Sequence, residues 1–156
     1  MRACVIFDSR YGNTEKIARS LSAGLEMGGI EASCANTKDV VPGSLEGFDL
    51  LCVGAPTEWL TASGSMKDFL RGLRGHGLSG KLGFAFDTRL GRPLSGSASG
   101  FIEKELRRQG LRIVAQRESA IVYAAGGGMS TTTLNDGEAD RFKRIGADLA
   151  ARLGKA

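Results

Sequence analysis

Six consecutive residues near the amino terminus carry groups suited to binding a phosphate. Residues 9–14 read Ser-Arg-Tyr-Gly-Asn-Thr, which supplies hydroxyl groups, one glycine and a run of backbone N–H groups. The segment follows an apolar run at 3–7 that predicts a buried strand, and it precedes a helical pattern of apolar side chains. N–H groups at a helix N-terminus have no helical partners and carry partial positive charge. This position predicts a phosphate site, and the alternative is an ordinary strand-to-helix turn with a polar cap.

Strand and helix patterns alternate along the chain. The predicted strands are residues 3–7, 31–34, 50–54, 81–86 and 111–123, with the last one broken or bulged at 116–118. The predicted helices are residues 14–27, 66–73, 98–109 and a final helix that ends near 153. Repeated strand–helix units require right-handed crossovers, so we expect an α/β fold with a doubly wound, five-stranded parallel sheet and helices on both faces.

Particular residues mark the ends of the predicted helices. Gly28 and Gly29 are expected to end the first helix, and Ser65 to cap the second. Asn135 and Glu138 are spaced as a capping box for the last helix.

The predicted loops hold most of the remaining polar side chains. They cover residues 55–64, 87–96 and 124–134, and the third is expected to be flexible. In open parallel sheets, ligands bind beyond the carboxyl ends of the strands. The predicted binding segments are therefore residues 9–14, 55–64 and 87–92.

Three common ligand sites of such sheets lack their required residues. A dinucleotide loop needs three glycines spaced G-x-G-x-x-G, and only Gly12 stands in the first loop. A P-loop needs Gly-Lys followed by Ser or Thr, which this loop lacks. A phospho-accepting receiver domain needs an aspartate at the end of the third strand, where the chain reads Gly54-Ala55-Pro56. A mononucleotide remains as the candidate ligand.

Composition excludes several other classes of function. The chain has 156 residues, a formal net charge of +4 and a single histidine, so a catalytic triad built on histidine is not expected. Its basic residues are dispersed among acidic ones, which favours solvated helix faces over a nucleic-acid surface. The sequence has no run that could span a bilayer and no signal peptide. Three cysteines cannot all pair, so we expect core thiols in a reducing cytoplasm.

The binding loops resemble those of flavodoxins, whose phosphate loop reads Ser or Thr, any residue, Thr, Gly, any residue, Thr. Ser9, Gly12 and Thr14 match this pattern, and the run Gly-Asn-Thr-Glu at 12–15 is common in flavodoxins. The run Gly-Ala-Pro-Thr at 54–57, with Trp59 nearby, resembles their second loop. The likeness covers nearly the whole chain. It implies the flavodoxin-like strand order 2-1-3-4-5 in a single domain over residues 1–156.

Two positions depart from the flavodoxin pattern. Tyr11 replaces the usual threonine, so one phosphate hydroxyl is lost or is replaced by a phenol. Residues 87–92 contain no aromatic side chain, although flavodoxins place a stacking tyrosine there. One face of the flavin would then be open to solvent or substrate, or would be covered by the glycine loop at 126–129.

The resemblance implies FMN as the cofactor and assigns roles to residues of all three loops. The implied cofactor-binding residues are Ser9, Arg10, Tyr11, Gly12, Asn13, Thr14, Pro56, Thr57, Glu58, Trp59, Asp87, Thr88 and Arg89. The first six would hold the phosphate, Thr57 would contact the ribityl chain or the ring, and Trp59 would pack on the isoalloxazine. Residues 87–89 would lie along the ring edge. The alternatives are a helix cap for Asn13 and a surface loop anchor for Trp59.

Arg89 has two interpretations. A cation beside N1 of the flavin would stabilise the negative charge that reduction leaves there. An arginine that points into solvent would have no such effect.

The function implied by the resemblance is a cytoplasmic FMN-binding redox protein that carries electrons between partner proteins. It would be a monomer or weak dimer with no metal, no catalytic side chain and no nucleic-acid or membrane partner. One alternative is an FMN-dependent quinone or small-molecule reductase, which the net positive charge favours slightly because flavodoxins are usually acidic and dock on basic partners. The other is a flavin-free binding module, and Tyr11 is the only feature that favours it.

Overall fold

Strands and helices follow one another along the chain in the predicted order. The computed structural model describes residues 1–92, 94–124 and 131–155. The strands are β1 (Arg2–Phe7), β2 (Glu31–Asn36), β3 (Leu50–Glu58), β4 (Thr61–Ala62), β5 (Leu82–Leu90), β6 (Arg112–Ile113), β7 (Glu118–Ala124) and β8 (Thr132–Leu134). The helices are α1 (Asn13–Met27), α2 (Gly64–Gly72), α3 (Ala98–Arg108) and α4 (Glu138–Leu153). Two 3-10 helices, Thr37–Asp39 and Pro42–Gly47, connect β2 to β3.

The strands form one sheet in the order β2-β1-β3-β5-β7-β8. All neighbours from β2 to β7 are parallel, and β6 pairs with the beginning of β5 while β7 pairs with its end. The fifth predicted strand is therefore broken, as expected. Counted by predicted strands the order is 2-1-3-4-5, so the doubly wound parallel sheet is confirmed. The antiparallel β8 is an addition, because it lies in a segment predicted to be a loop, of which residues 125–130 lie outside the described chain.

Two of the predicted loops begin as strand. β3 continues to Glu58 and β5 to Leu90, so the prediction of loop at residues 55–58 and 87–90 is wrong. The parallel ladder continues there, with Ala55 opposite Asp87 and Pro56 opposite Thr88. Polar side chains are compatible with strand at these positions because they bond to neighbouring elements instead of to water.

The helix ends differ from the predicted caps in two places. Ser63, not Ser65, caps α2, because its Oγ accepts a hydrogen bond from the Met66 N–H at 3.4 Å. The capping box at α4 is also wrong. The helix starts after Gly137, and the Glu138 carboxylate accepts the N–H of Ile121 at 2.7 Å.

The end of α1 follows the prediction. The N–H of Gly28 reaches the carbonyl of Gly24 at 3.1 Å, and that of Gly29 reaches the carbonyl of Glu26 at 3.0 Å.

Each face of the sheet is covered by two helices. The core on one face is formed by β1, β3 and β5 with apolar side chains of α1 and α4, and its largest members include Phe84, Phe86 and Phe142. The core on the other face receives the apolar sides of α2 and α3, including Met66, Leu70, Ile102 and Leu106. This double coverage explains why the central strands are apolar along nearly their whole length.

Two glycines allow α1 and α4 to lie in direct backbone contact. A Cβ atom on Gly24 would overlap the carbonyl oxygen of Lys143, and one on Gly146 would overlap the carbonyl oxygen of Leu21. The helix that begins at the predicted phosphate loop is thus held in place by the last helix of the chain.

Candidate functional site

A cavity of about 490 Å³ opens at the carboxyl ends of β3, β5 and β7. It lies where residues from all three predicted binding segments meet. Its lining residues are Arg10, Tyr11, Pro56, Thr57, Glu58, Trp59, Thr88, Arg89, Leu90, Val122 and Thr132. Eight of these eleven are among the residues that the sequence assigned to cofactor binding.

The loop between β1 and α1 presents unpaired backbone donors beside this cavity. Gly12 precedes α1 in the left-handed conformation, with φ of 86°, and provides no side-chain cap. Ser9 organises the loop, because its Oγ accepts the N–H groups of Gly12 at 3.1 Å and of Glu15 at 3.4 Å. The N–H groups of residues 10, 11, 13 and 14 donate to no acceptor within the described chain. Such donors at a helix N-terminus suit an anion.

Asn13 and Thr14 attach this loop to the sheet. The Asn13 amide donates to the carbonyl oxygen of Thr132 at 2.9 Å and to its hydroxyl at 3.0 Å. The Thr14 hydroxyl bonds the Thr88 hydroxyl at 2.9 Å, and both residues are buried. Both side chains are therefore engaged with β5 or β8, which leaves the backbone as the main donor set of the loop.

The second wall of the cavity is the hairpin between β3 and β4. Trp59 and Leu60 are the two central residues of its turn, since Glu58 pairs with Thr61. The Trp59 side chain is 96% exposed beside the cavity, so it is not a loop anchor folded into the surface. Glu58 forms an ion pair of 3.6 Å with Arg10, which joins this hairpin to the phosphate loop.

The third wall comes from the end of β5. Thr88 and Arg89 line the cavity, but Asp87 does not. Asp87 is fully buried, and its Oδ2 accepts the Ser97 hydroxyl at 2.9 Å and the Ser99 N–H at 2.8 Å. Its side chain thus serves the start of α3 and does not line the cavity.

Arg89 lines the cavity with a partly buried guanidinium. Its Nη1 donates weakly to the Ser95 hydroxyl at 3.4 Å and to the Gly96 carbonyl at 3.5 Å. Its Nε is buried without a hydrogen-bond partner in the described chain. Of the two interpretations of Arg89, the geometry favours the cavity over solvent.

The β3–β4 turn and the segment before α3 are joined by backbone contacts. The Ser97 N–H donates to the Leu60 carbonyl at 3.3 Å, and the Ala98 N–H donates to the Thr57 hydroxyl at 3.0 Å. Gly96 has φ of 72° and lies so close to Leu60 that a Cβ atom would overlap the Leu60 backbone. The second and third walls therefore form one connected unit.

Sequence reasoning missed Leu90, Val122 and Thr132, which also line the cavity. Leu90 was predicted to lie in a loop and Val122 in the fifth strand, and neither was predicted to contact the ligand. Thr132 could have been found, because the polar run Ser-Thr-Thr-Thr at 130–133 comes after the last predicted strand. The glycine loop at 126–129, considered as a cover for one flavin face, lies outside the described residues.

The donor set fits a phosphorylated ring compound. Unpaired N–H groups stand at one end of the cavity, and Trp59, Leu90 and Val122 offer apolar surface at the other. The described chain has no cluster of histidine, cysteine or carboxylate side chains that could hold a metal. It also has no helix long and apolar enough to cross a membrane.

Comparison with known proteins gives a consistent result. The family model described as Flavodoxin matches residues 5–145. Over 89 residues the chain is 30% identical to a flavodoxin from Clostridium saccharobutylicum, a match that spans 56% of this chain and only 56% of that relative.

Solved structures share the fold over nearly the full length. A flavodoxin from the domain Archaea superposes with a TM-score of 0.80 at 23% identity, covering 99% of both chains. Oxidised Flavodoxin 1 from Bacillus cereus gives 0.78 at 20% identity, covering 96% of this chain and 97% of that one. The flavodiiron protein from Giardia intestinalis gives 0.76 at 22% identity, and there 99% of this chain corresponds to 36% of the larger one.

Proposed function

The chain belongs to the flavodoxin family, whose members bind FMN and transfer electrons. On this premise we propose that it binds one FMN in the cavity and carries electrons between partner proteins. The observation that carries the proposal is the set of unpaired N–H groups at the start of α1. These groups lie directly beside a cavity of about 490 Å³. A phosphate and an attached ring would be bound by these two features together.

The phosphate would be bound by the loop of residues 9–14. The four unpaired N–H groups and the dipole of α1 favour a dianion there. Ser9 keeps the loop in this shape, and the Tyr11 phenol, which lines the cavity, takes the place of the usual threonine hydroxyl. A single phosphate loop favours FMN over FAD or NAD.

The ring would lie between the two connected walls. Trp59 offers a large, rigid contact surface that loses little conformational entropy on binding. Thr57 uses its hydroxyl oxygen to accept the Ala98 N–H, so its remaining O–H can donate to the ligand. FMN, when bound, supplies the one-electron and two-electron chemistry. The residues of the cavity bind it, orient it and exclude water from its inner face.

The first test compares ligands that differ only in phosphate. The purified protein should release FMN that mass spectrometry identifies, and the apoprotein should bind FMN at least about a hundredfold more tightly than riboflavin, a difference of roughly 2.7 kcal/mol. Ser9→Ala should weaken FMN binding and leave riboflavin binding unchanged. Ser44→Ala is the matched control, since it removes another local hydroxyl bond, to the Val41 carbonyl, far from the cavity. Recovery of FAD, or equal affinity for FMN and riboflavin, contradicts the proposal.

The second test uses the single tryptophan. Because Trp59 is the sole tryptophan of the chain, its fluorescence reports on this position alone. We expect FMN to quench it, and Trp59→Ala to weaken binding by about 1–3 kcal/mol. Unchanged fluorescence on adding FMN would place Trp59 away from the ring.

One observation favours a second candidate, an FMN-dependent quinone or small-molecule reductase. Along β5 the cavity is lined by Thr88, Arg89 and Leu90, so no aromatic side chain of this strand faces Trp59. A small substrate could approach the ring from that side. NADPH consumption with a quinone at a rate typical of enzymes would favour the reductase, and its absence favours the carrier.

We also propose a reducing, cytoplasmic location. Cys4, Cys34 and Cys52 are all free thiols. Burial raises the pKa of Cys34 to about 11 and also raises the pKa of Cys4 and Cys52, so all three stay protonated and unreactive at neutral pH. They serve as small apolar residues of the strands.

A further inference from the structure

Three large apolar side chains are exposed in two neighbouring segments, and one of them, Trp59, lines the cavity. Trp59 is 96% exposed, Leu60 64% and Leu94 93%, and we call these three residues the apolar rim. They are also the three non-glycine residues of the described chain with a positive φ, at 48°, 70° and 64°.

The backbone at these positions is unfavourable for the residues that occupy it. A two-residue hairpin turn with positive φ at both central residues normally holds Asn or Gly, and here it holds Trp and Leu. Strained backbone of this kind is usually found at functional sites. Neither leucine gains burial in exchange for the strain, which points to a contact made outside this chain.

The apolar rim is rigid before any contact is made. The Leu60 carbonyl accepts the Ser97 N–H at 3.3 Å, and Gly96 packs directly on the Leu60 backbone. The turn that carries Trp59 and Leu60 is thereby fixed relative to the segment that carries Leu94. A surface that is already ordered loses little entropy when a partner docks on it.

The charge beside the apolar rim is positive. Residues 56–62 and 88–97 contain only three charged side chains, Glu58, Arg89 and Arg92. Glu58 is paired with Arg10, whereas Arg89 and Arg92 have no carboxylate within ion-pair distance in the described chain. With Arg89 in the cavity, the exposed Arg92 is the charge that makes this surface complementary to carboxylates, the reverse of the acidic surface that flavodoxins usually present.

We infer that the apolar rim is the docking surface for an electron-transfer protein whose contact face carries carboxylates around an apolar patch. The inference rests on the proposed function, because it places the partner beside the exposed edge of the flavin. FMN held in the cavity would supply the electron, the oxidised centre of the partner would accept it, and no bond would be formed or broken.

The test uses two probes that share one redox centre and differ in charge. Native cytochrome c is basic, and succinylated cytochrome c has carboxylates in place of its lysine ammonium groups. We expect the FMN-loaded, photoreduced protein to reduce the ferric haem of the succinylated form at least tenfold faster at low salt. Added salt should slow the reaction with the succinylated form and speed the reaction with the native form.

Variants separate the apolar and charged contributions. Leu94→Ser should slow reduction of the succinylated probe at least threefold, with FMN affinity unchanged. Met27→Ser is the control, since Met27 is 70% exposed at the far end of α1. Arg92→Glu should slow the same reaction more than Arg112→Glu, which makes an identical charge change on the exposed, distant β6.

Three outcomes would overturn the inference. The first is faster reduction of the native probe, and the second is equal rates for Leu94→Ser, Met27→Ser and the unmodified protein. The third is a dimer in sedimentation that Leu94→Ser dissociates, because the occupant of the apolar rim would then be a second copy of the chain. A protein that shows no flavin absorbance would instead overturn the proposed function itself.

Discussion

Two loops border the cavity, and each depends on a glycine with positive φ for a different reason. Gly12 in the predicted phosphate loop has φ of 86°, and a Cβ atom there would meet nothing within 4 Å. Gly96 beside the apolar rim has φ of 72°, and a Cβ atom there would overlap the backbone of Leu60. The predicted phosphate loop therefore requires only a positive φ at Gly12. Residues 94–97, which we call the rim segment, require both a positive φ at Gly96 and the absence of a side chain there.

The two glycines therefore differ in what fixes their conformation, which is contacts within the loop for Gly12 and contacts with a distant part of the chain for Gly96. The conformation of Gly12 is set within residues 9–15, where Ser9 accepts two N–H groups. The conformation of Gly96 is set by a hairpin more than thirty residues earlier in the chain. We expect substitutions in the two loops to have effects of different size.

The largest effect is expected for Gly96→Ala. The backbone strain costs about 1–2 kcal/mol, and the steric overlap costs about 1–3 kcal/mol more, so the free energy of unfolding should fall by roughly 2–5 kcal/mol. Urea unfolding of the apoprotein measures this, with Gly12→Ala as the control. A loss no greater than that of Gly12→Ala would mean that the rim segment moves away from Leu60 at little cost.

Thr14→Val examines the tertiary attachment of the phosphate loop. The variant keeps the shape of a buried side chain but leaves the Thr88 hydroxyl without its bond of 2.9 Å, which should cost about 1–3 kcal/mol. Adding Thr88→Val removes both partners and should recover most of that loss. If the double variant is as unstable as the sum of the single variants, the hydrogen bond is not the cause.

Gly12→Ala should cost about 1–2 kcal/mol, the strain of the left-handed conformation alone. Gly12→Asn should cost less, because asparagine tolerates this conformation better than alanine. The comparison is made on the apoprotein by urea unfolding. Equal losses for Ala and Asn would show that something other than φ limits this position.

The smallest effect concerns β7, which forms the side of the cavity away from both loops. Hydrogen bonds from Arg141 lower the pKa of Glu138 below its usual value, and the Ile121 N–H adds to this. The resulting stability is present above the usual glutamate pKa and is lost as the pH falls through the lowered pKa of the folded protein. We expect Glu138→Gln to cost less than about 1 kcal/mol at neutral pH.

The difference between Glu138→Gln and the unmodified protein should shrink as the pH falls below the usual glutamate pKa and should disappear below the lowered pKa of Glu138 in the folded protein. Glu26→Gln, on the exposed end of α1, is the control. A difference that stays constant with pH would mean that the carboxylate charge does not support β7.

The sequence allowed the fold, and the position of residues 9–14 between a strand and a helix, to be predicted because both depend on local patterns. Alternating strands and helices determine the sheet, and Gly12 lies where a strand meets a helix. The hairpin turn at Trp59 and Leu60 could not be predicted, since neither residue is typical of a turn with positive φ. The engagement of the Asp87 side chain with Ser97 and Ser99 could not be predicted either, because these contacts appear only in the folded chain.

The backbone contact of α1 with α4 has a consequence for biosynthesis. Gly24 can pack on Lys143 and Gly146 on Leu21 only after the last helix exists. A nascent chain whose final helix is still inside the ribosome leaves one side of α1 uncovered, so residues 9–14 begin a helix with no fixed position. FMN capture should therefore follow synthesis of α4, although the loop predicted to bind its phosphate precedes that helix by more than a hundred residues.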